Sequence, residues 1–300
     1  MPLSDADLPE VYRGLGLPGV ADIHVHFMPD AVLRKVWAYF DAVPSGRWEI
    51  RYRFDEQTRV VLLKDLGVLA FTALLYPHKP GMAAWLNDWG LEFAARTPGC
   101  VPTGTFYPES DVDSYVRASL ERGVRVFKAH LQVGAYDPRD PALDPVWGML
   151  ADTRTPVVCH CASGPHRGAF TGPGPIGEVL ARHPDITLVI AHCGLPEYGD
   201  FLALAQHYEN VHLDTTMAFT DFVESTTPFP ADLRPALRDL GLAGKVVLGS
   251  DFPNIPYPYA HQVESLIRLD LGDDWLRAVL HDNGMRLLTT PLPTEPGEGP

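Results

Sequence analysis

Basic charge, cysteine and long apolar runs are all scarce in this chain, and each scarcity removes a class of function. Lys and Arg number 24 against 38 Asp and Glu, a net charge of −14 with no basic block to relieve it. Phosphate backbones and anionic membrane surfaces are therefore poor partners, so neither nucleic acid nor membrane is expected. No apolar stretch approaches the roughly 20 residues that cross a bilayer. Met1 to Leu17 carries three acidic residues and lacks the basic, apolar, small-residue succession of a signal peptide, so a cytoplasmic location is expected.

Only four cysteines occur, Cys100, Cys159, Cys161 and Cys193, and three of them lie in apolar, strand-like runs that suit buried reduced thiols rather than a disulfide framework. Cys159-His160-Cys161 has the composition of a zinc cluster. Neighbouring strand residues face opposite ways, so its cysteines cannot join His160 on one ion and are read as packing residues. A glycine-rich G-x-G-x-x-G turn after a first strand is missing too, which argues against dinucleotide binding.

What is present begins with Asp22-Ile23-His24-Val25-His26. On a strand, side chains two apart project to one face, so His24 and His26 form a potential ligand pair. Gly19-Val20-Ala21 before them, the β-branched alternation within and Met28-Pro29-Asp30 after them favour that strand. The competing reading is a surface strand with two stray histidines.

From here strand and helix alternate. Further strands are expected at Val68 to Leu75, Val101 to Phe106, Val124 to Leu131, Pro156 to Cys161, Ile186 to Cys193, Val211 to Thr215 and Val246 to Ser250. Helices are expected between them; the first is capped by Asp55 and stopped by Gly67, and another begins at a proline suited to a first helical turn. Nearly continuous apolar strands belong to a parallel sheet covered on both faces. Eight such units in about 250 residues predict an α/β protein with a single-domain (β/α)8 TIM barrel. Residues 1–17 read as an N-terminal arm and 18–290 as the barrel, with an aromatic, lid-like insertion at about 28–54 that carries Arg47, Arg51 and Arg53. Residues 291–300, rich in Pro, Gly and Glu, read as a disordered tail.

In this fold catalytic side chains stand where strands run out. His24 and His26, His160, His192 and Asp251 all fall at such ends. A single core histidine is usually a packed, hydrogen-bonded residue, but five ligand-type residues at one level leave many buried polar atoms in need of partners. A shared metal ion supplies them.

With those positions, and with Ile190-Ala191-His192-Cys193-Gly194 and Gly249-Ser250-Asp251-Phe252-Pro253, the chain resembles the amidohydrolase superfamily from about Val20 to Leu288. It looks most like the branch that holds aminocarboxymuconate semialdehyde decarboxylase and several lactone hydrolases. The resemblance implies that His24, His26, His160 and Asp251 bind one divalent metal ion, commonly Zn²⁺, with His192 beside it to handle protons or polarise the substrate. Three imidazoles and a carboxylate suit such an ion and leave a position for water, and Asp251 would accept that water's proton.

Lys128 on the fourth strand shares a face with His130. It is read as a bridging residue of the kind some relatives carboxylate, as a buried charge paired with Asp214 or Glu109, or as a contact to an anionic substrate. His130 is expected to be a satisfied histidine beyond the rim, and Asp214 a support for His192 or a loop. Ser163, His166, Arg167, Arg51 and Asn254 are candidate substrate contacts, with simple loop and surface roles as the alternative.

The expected activity is a metal-dependent hydrolase that uses water on a small cyclic ester or amide. The alternatives are non-oxidative decarboxylation of an aromatic or unsaturated acid, and a non-catalytic barrel. The expected partner is a small molecule, anionic in the decarboxylase reading, and homo-oligomer formation is compatible with the fold.

Overall fold

The computed structural model describes residues 2–43 and 48–289. Arg47 and the tail at 291–300 lie outside the described residues. The strands are β1 (Val20–Asp22), β2 (Val68–Thr72), β3 (Cys100–Val101), β4 (Thr103–Thr105), β5 (Val126–His130), β6 (Val157–His160), β7 (Leu188–Ile190), β8 (Val211–Asp214) and β9 (Val246–Val247). Every ladder is parallel, in one sheet of order β1-β2-β3 and one of order β4-β5-β6-β7-β8-β9. β3 and β4 are one barrel position, expected as a single strand and divided at Pro102. Proline cannot donate to a ladder, but its carbonyl still accepts from Arg125 N at 2.9 Å.

The circle returns to its start just past the last strand. Ile23 N donates to Leu248 O at 3.0 Å, Asp251 N to His24 O at 2.8 Å and His26 N to Phe252 O at 2.7 Å. The chain is a single-domain (β/α)8 barrel. Inside it Ala21, Ala70, Val126, Val158, Val189 and Val247 form one fully packed layer drawn from six strands, with Leu288 of the last helix against them. Lys128 follows Val126, and His160 follows Val158, at the two-residue period of a strand. Each therefore shares the interior face, one step nearer the C-terminal rim.

The strands are shorter than the apolar runs suggested. Val68 to Leu75 pairs only as far as Thr72, and the run to Cys193 only as far as Ile190. His24 and His26 accordingly lie beyond β1, on the extended stretch that leaves it. The N-terminal arm contains a helix, Leu8–Gly14, whose Leu8 and Tyr12 are buried. The insertion contains a second helix, Asp30–Asp41. Another, Tyr259–Arg268, follows Asp251 and buries an apolar face with Tyr259, Val263 and Leu266.

Candidate metal centre

Three of the expected ligands converge. Donor atoms of His24, His26 and Asp251 all lie within 4.8 Å of one another. His26 Nε2 is 2.9 Å and His24 Nε2 3.6 Å from Asp251 Oδ1. The other nitrogen of each ring is already committed, His24 Nδ1 to Asp214 Oδ2 at 2.8 Å and His26 Nδ1 to Leu74 O at 3.0 Å. A carbonyl and a carboxylate can only accept, so both Nδ1 atoms carry the hydrogen and both Nε2 atoms present lone pairs. At His26 that lone pair faces a carboxylate oxygen across 2.9 Å, a juxtaposition that requires a cation, either a proton or a metal ion.

Electrostatics favour the metal. Burial, and then Lys128, hold the His24 pKa down to about 3, so the ring stays neutral at physiological pH. Asp251 is pushed up by burial, but its close approach to the rings of His26, His24 and His192 more than offsets this and keeps its carboxyl well below the usual range. Neutral imidazoles with an ionised carboxylate are the donor set that a divalent ion needs. The residues fit the ion.

Asp214 does more than steady His192 or a loop. Its Oδ2 fixes His24, while Oδ1 accepts from the backbone N of His192 at 2.9 Å and of Thr216 at 3.0 Å. Asp22 acts in the same way at a deeper level, where Oδ1 takes His24 N and Ser250 N and Oδ2 takes the Tyr259 hydroxyl. Burial raises its pKa to about 7.

His192 leaves the strand geometry altogether. It adopts φ 58°, in the left-handed region, as does Cys193 at 50°. Such a conformation is uncommon for residues other than glycine and here turns the ring into the site. Its centroid lies 5.2 Å from that of His24 and 4.8 Å from that of His160, and its Nδ1 donates to Thr216 O at 3.1 Å.

His160 stands beside the group of three rather than within it. Its Nε2 donates to Gly164 O at 2.8 Å, which leaves the ring's lone pair on Nδ1, and its face stacks on His130 at 4.1 Å. His130, expected as a satisfied histidine beyond the rim, accepts from Val133 N but also joins the histidine cluster through that stack. Tyr76, missed in the sequence, stands edge-on to His26 and tilted against His130.

Lys128 is fully buried, with Nζ 3.2 Å from His24 Nε2. No carboxylate lies within ion-pair distance among the described residues; Glu109 accepts from Gly81 N instead. Burial lowers its pKa. The remaining candidates scatter. Ser163 is buried, with its N on Glu197 and its hydroxyl accepting from Thr171. His166, Arg167 and Arg51 are exposed. Asn254 is buried, and it holds the insertion: its side-chain oxygen accepts from Trp37 Nε1 at 3.1 Å and its carbonyl from Trp48 Nε1 at 2.7 Å.

Comparison with known proteins bears on the fold and the family. No curated protein matches the sequence. Among solved structures, an uncharacterised TIM-barrel protein from Bordetella bronchiseptica is 18% identical, with a TM-score of 0.72 over 89% of this chain and 98% of that one. A 5-carboxyvanillate decarboxylase from Novosphingobium aromaticivorans, with manganese bound, is 14% identical, with a TM-score of 0.62 over 92% and 98%. A probable 2-pyrone-4,6-dicarboxylic acid hydrolase from Acinetobacter baumannii, with citric acid bound, is 13% identical, with a TM-score of 0.63 over 91% and 100%. These likenesses show the barrel. The amidohydrolase family matches residues 21–289, and the chain belongs to that family of enzymes.

Proposed function

We propose that this amidohydrolase is a hydrolase of small cyclic esters or amides that works with one divalent metal ion, Zn²⁺ in the first instance, and water. The observation that carries the reading is the opposition of His26 Nε2 and Asp251 Oδ1 across 2.9 Å, with the other nitrogen of His26 already committed. His24, His26 and Asp251 would hold the ion, with His160 completing the set through Nδ1. When bound, such an ion brings the pKa of a water molecule down toward neutrality and polarises a carbonyl oxygen. Asp251 would take the proton of the attacking water on a carboxylate oxygen. His192, with Nδ1–H held by Thr216 O, presents an Nε2 lone pair that would take up the proton released from the water and pass it to the leaving group.

Decarboxylation of an aromatic or unsaturated acid is favoured by a different observation, the fully buried Lys128 with no carboxylate partner among the described residues. An ammonium group in that position would receive a substrate carboxylate. The four free cysteines support a cytoplasmic setting.

Metal analysis of the purified protein tests both readings: without a stoichiometric transition metal, and with none regained on soaking, neither stands. A panel of lactones, cyclic amides and carboxylated phenols, followed for acid release against CO₂ release, separates them. Acid release from a lactone or amide supports hydrolysis, and CO₂ release alone overturns it in favour of decarboxylation.

A further inference from the structure

Outside the metal centre, the strongest anomaly is Arg59. It lies on the helix Glu56–Asp65 and is 1% exposed, yet its Nε and Nη1 have no hydrogen-bond partner among the described residues. Its guanidinium carbon sits 4.9 Å from the centroid of Phe27 and 5.8 Å from that of Trp37, so two aromatic rings cover the cation without satisfying its N–H groups. A buried charge of this kind is costly unless it is paired.

The acids around it are engaged or unengaged in an informative way. Asp55 caps its own helix by accepting from Thr58 N and Oγ1. Glu56 is gripped by Arg96. Asp30, at the start of the helix Asp30–Asp41, lies near enough to act on Arg59 through its charge but makes no ion pair with it. Among the described residues these acids thus leave Nε and Nη1 of Arg59 buried and unpaired.

The chain also leaves a space beside that side chain. A cavity of about 290 Å³ is lined by Leu33, Trp37 and Phe54 as apolar walls, by Arg34, Arg53 and Arg59 as cations, and by Asp30 and Asp55. Arg53 is held by Asp41, while Arg34 is exposed at the rim. The volume is at the small end of ligand sites. Nε and an Nη of one guanidinium match the two oxygens of a carboxylate, and the flat apolar walls suit the body of a small aromatic acid.

We propose that this cavity, between the insertion helix and the helix of Arg59, is a binding site for a small aromatic carboxylate, distinct from the metal centre. It stands one side chain from that centre, because Trp37 donates to Asn254, whose backbone N donates to Asp251 O at 2.8 Å. A ligand against Trp37 therefore touches the residue that ties the insertion to the site. The proposal does not depend on the reaction catalysed, and its test needs no turnover.

The full-length protein, first stripped of metal and then loaded with it, is titrated with benzoate by calorimetry and by tryptophan fluorescence, with inorganic phosphate as the comparison anion. Saturable benzoate binding is expected in both forms. R59M should weaken it about tenfold to a hundredfold, the range for losing a hydrogen-bonded charge, with circular dichroism confirming that the variant is folded. R34M, at the exposed rim where folding is not at stake, should weaken it by a smaller factor. The proposal is overturned if benzoate does not saturate below roughly 10 mM. It is equally overturned if folded R59M and R34M both bind as the parent does, if phosphate competes as well as benzoate, or if binding is seen only with metal present and is lost in H26N.

Discussion

Replacing Asp214 by Asn is the most discriminating change the structure offers, because the carboxylate serves two masters with two oxygens. One oxygen holds Nδ1–H of His24 at 2.8 Å, and the other takes the backbone N–H groups of His192 and Thr216. Asparagine keeps the shape but has only one acceptor. If its NH₂ faces His24, Nδ1 must become the acceptor, the hydrogen moves to Nε2, and the lone pair aimed at the metal position disappears. Loss of such an orienting partner typically weakens metal affinity by about 10- to 100-fold, equivalent to about 1.4–2.8 kcal/mol. If the amide turns over, its NH₂ meets two N–H donors, and two charge-assisted hydrogen bonds worth about 1.5–3 kcal/mol each are lost from the fold. D214N is therefore expected to lose metal affinity in a chelator-competition titration or stability in a denaturant titration of the metal-free protein, and to lose turnover either way. Wild-type metal affinity together with wild-type stability would refute the reasoning.

Other changes probe the surroundings of that carboxylate. D251N should abolish turnover and weaken metal retention, whereas H192N should abolish turnover while most of the metal remains, as elemental analysis beside an activity assay will show; metal loss in H192N would mean that the ligand boundary is misplaced. A Cβ at Gly249 would stand 2.1 Å from Thr216 Oγ1 and 2.9 Å from His24 Cβ, so G249A should cost about 1–3 kcal/mol by overpacking, read from a urea midpoint, and an unchanged midpoint would count against the packing described. Asp22 is raised to about 7 by burial. Its folded form thus holds a proton that the unfolded chain releases near its ordinary pKa, and the associated stability is present at low pH and lost as pH rises through about 7. Over roughly three pK units this amounts to at most about 4 kcal/mol, so the metal-free parent should lose stability relative to D22N between pH 4 and 8, and parallel pH profiles would exclude the effect.

The alternation of apolar runs and breakers exposed the barrel, because parallel strands buried on both faces have little freedom of composition. The convergence of His24, His26 and Asp251 was legible for a related reason: a histidine or aspartate at the end of an apolar run has few ordinary uses. What escaped notice depends on contacts distant in sequence. That Asp214 steadies His24 across 190 positions, and that Lys128 points at an imidazole rather than at Asp214 or Glu109, follow from the barrel's closure and from no local pattern. The left-handed turn at His192 was hidden because neither His192 nor Cys193 is a glycine, so the residue types gave no sign of it. Trp37 and Trp48 stood out as aromatic, yet only the fold shows that both donate to Asn254.

The bonds from Ile23 to Leu248, His26 to Phe252 and Asp251 to His24 join the beginning of the barrel to its end. His24 and His26 belong to one side of that closure and Asp251 to the other, so a cation gripped by all three works as a buckle on a hoop. Occupancy of the site then bears on mechanical integrity as well as on reactivity. If the barrel is cut into two polypeptides between its first and last strands, metal should promote their reassembly.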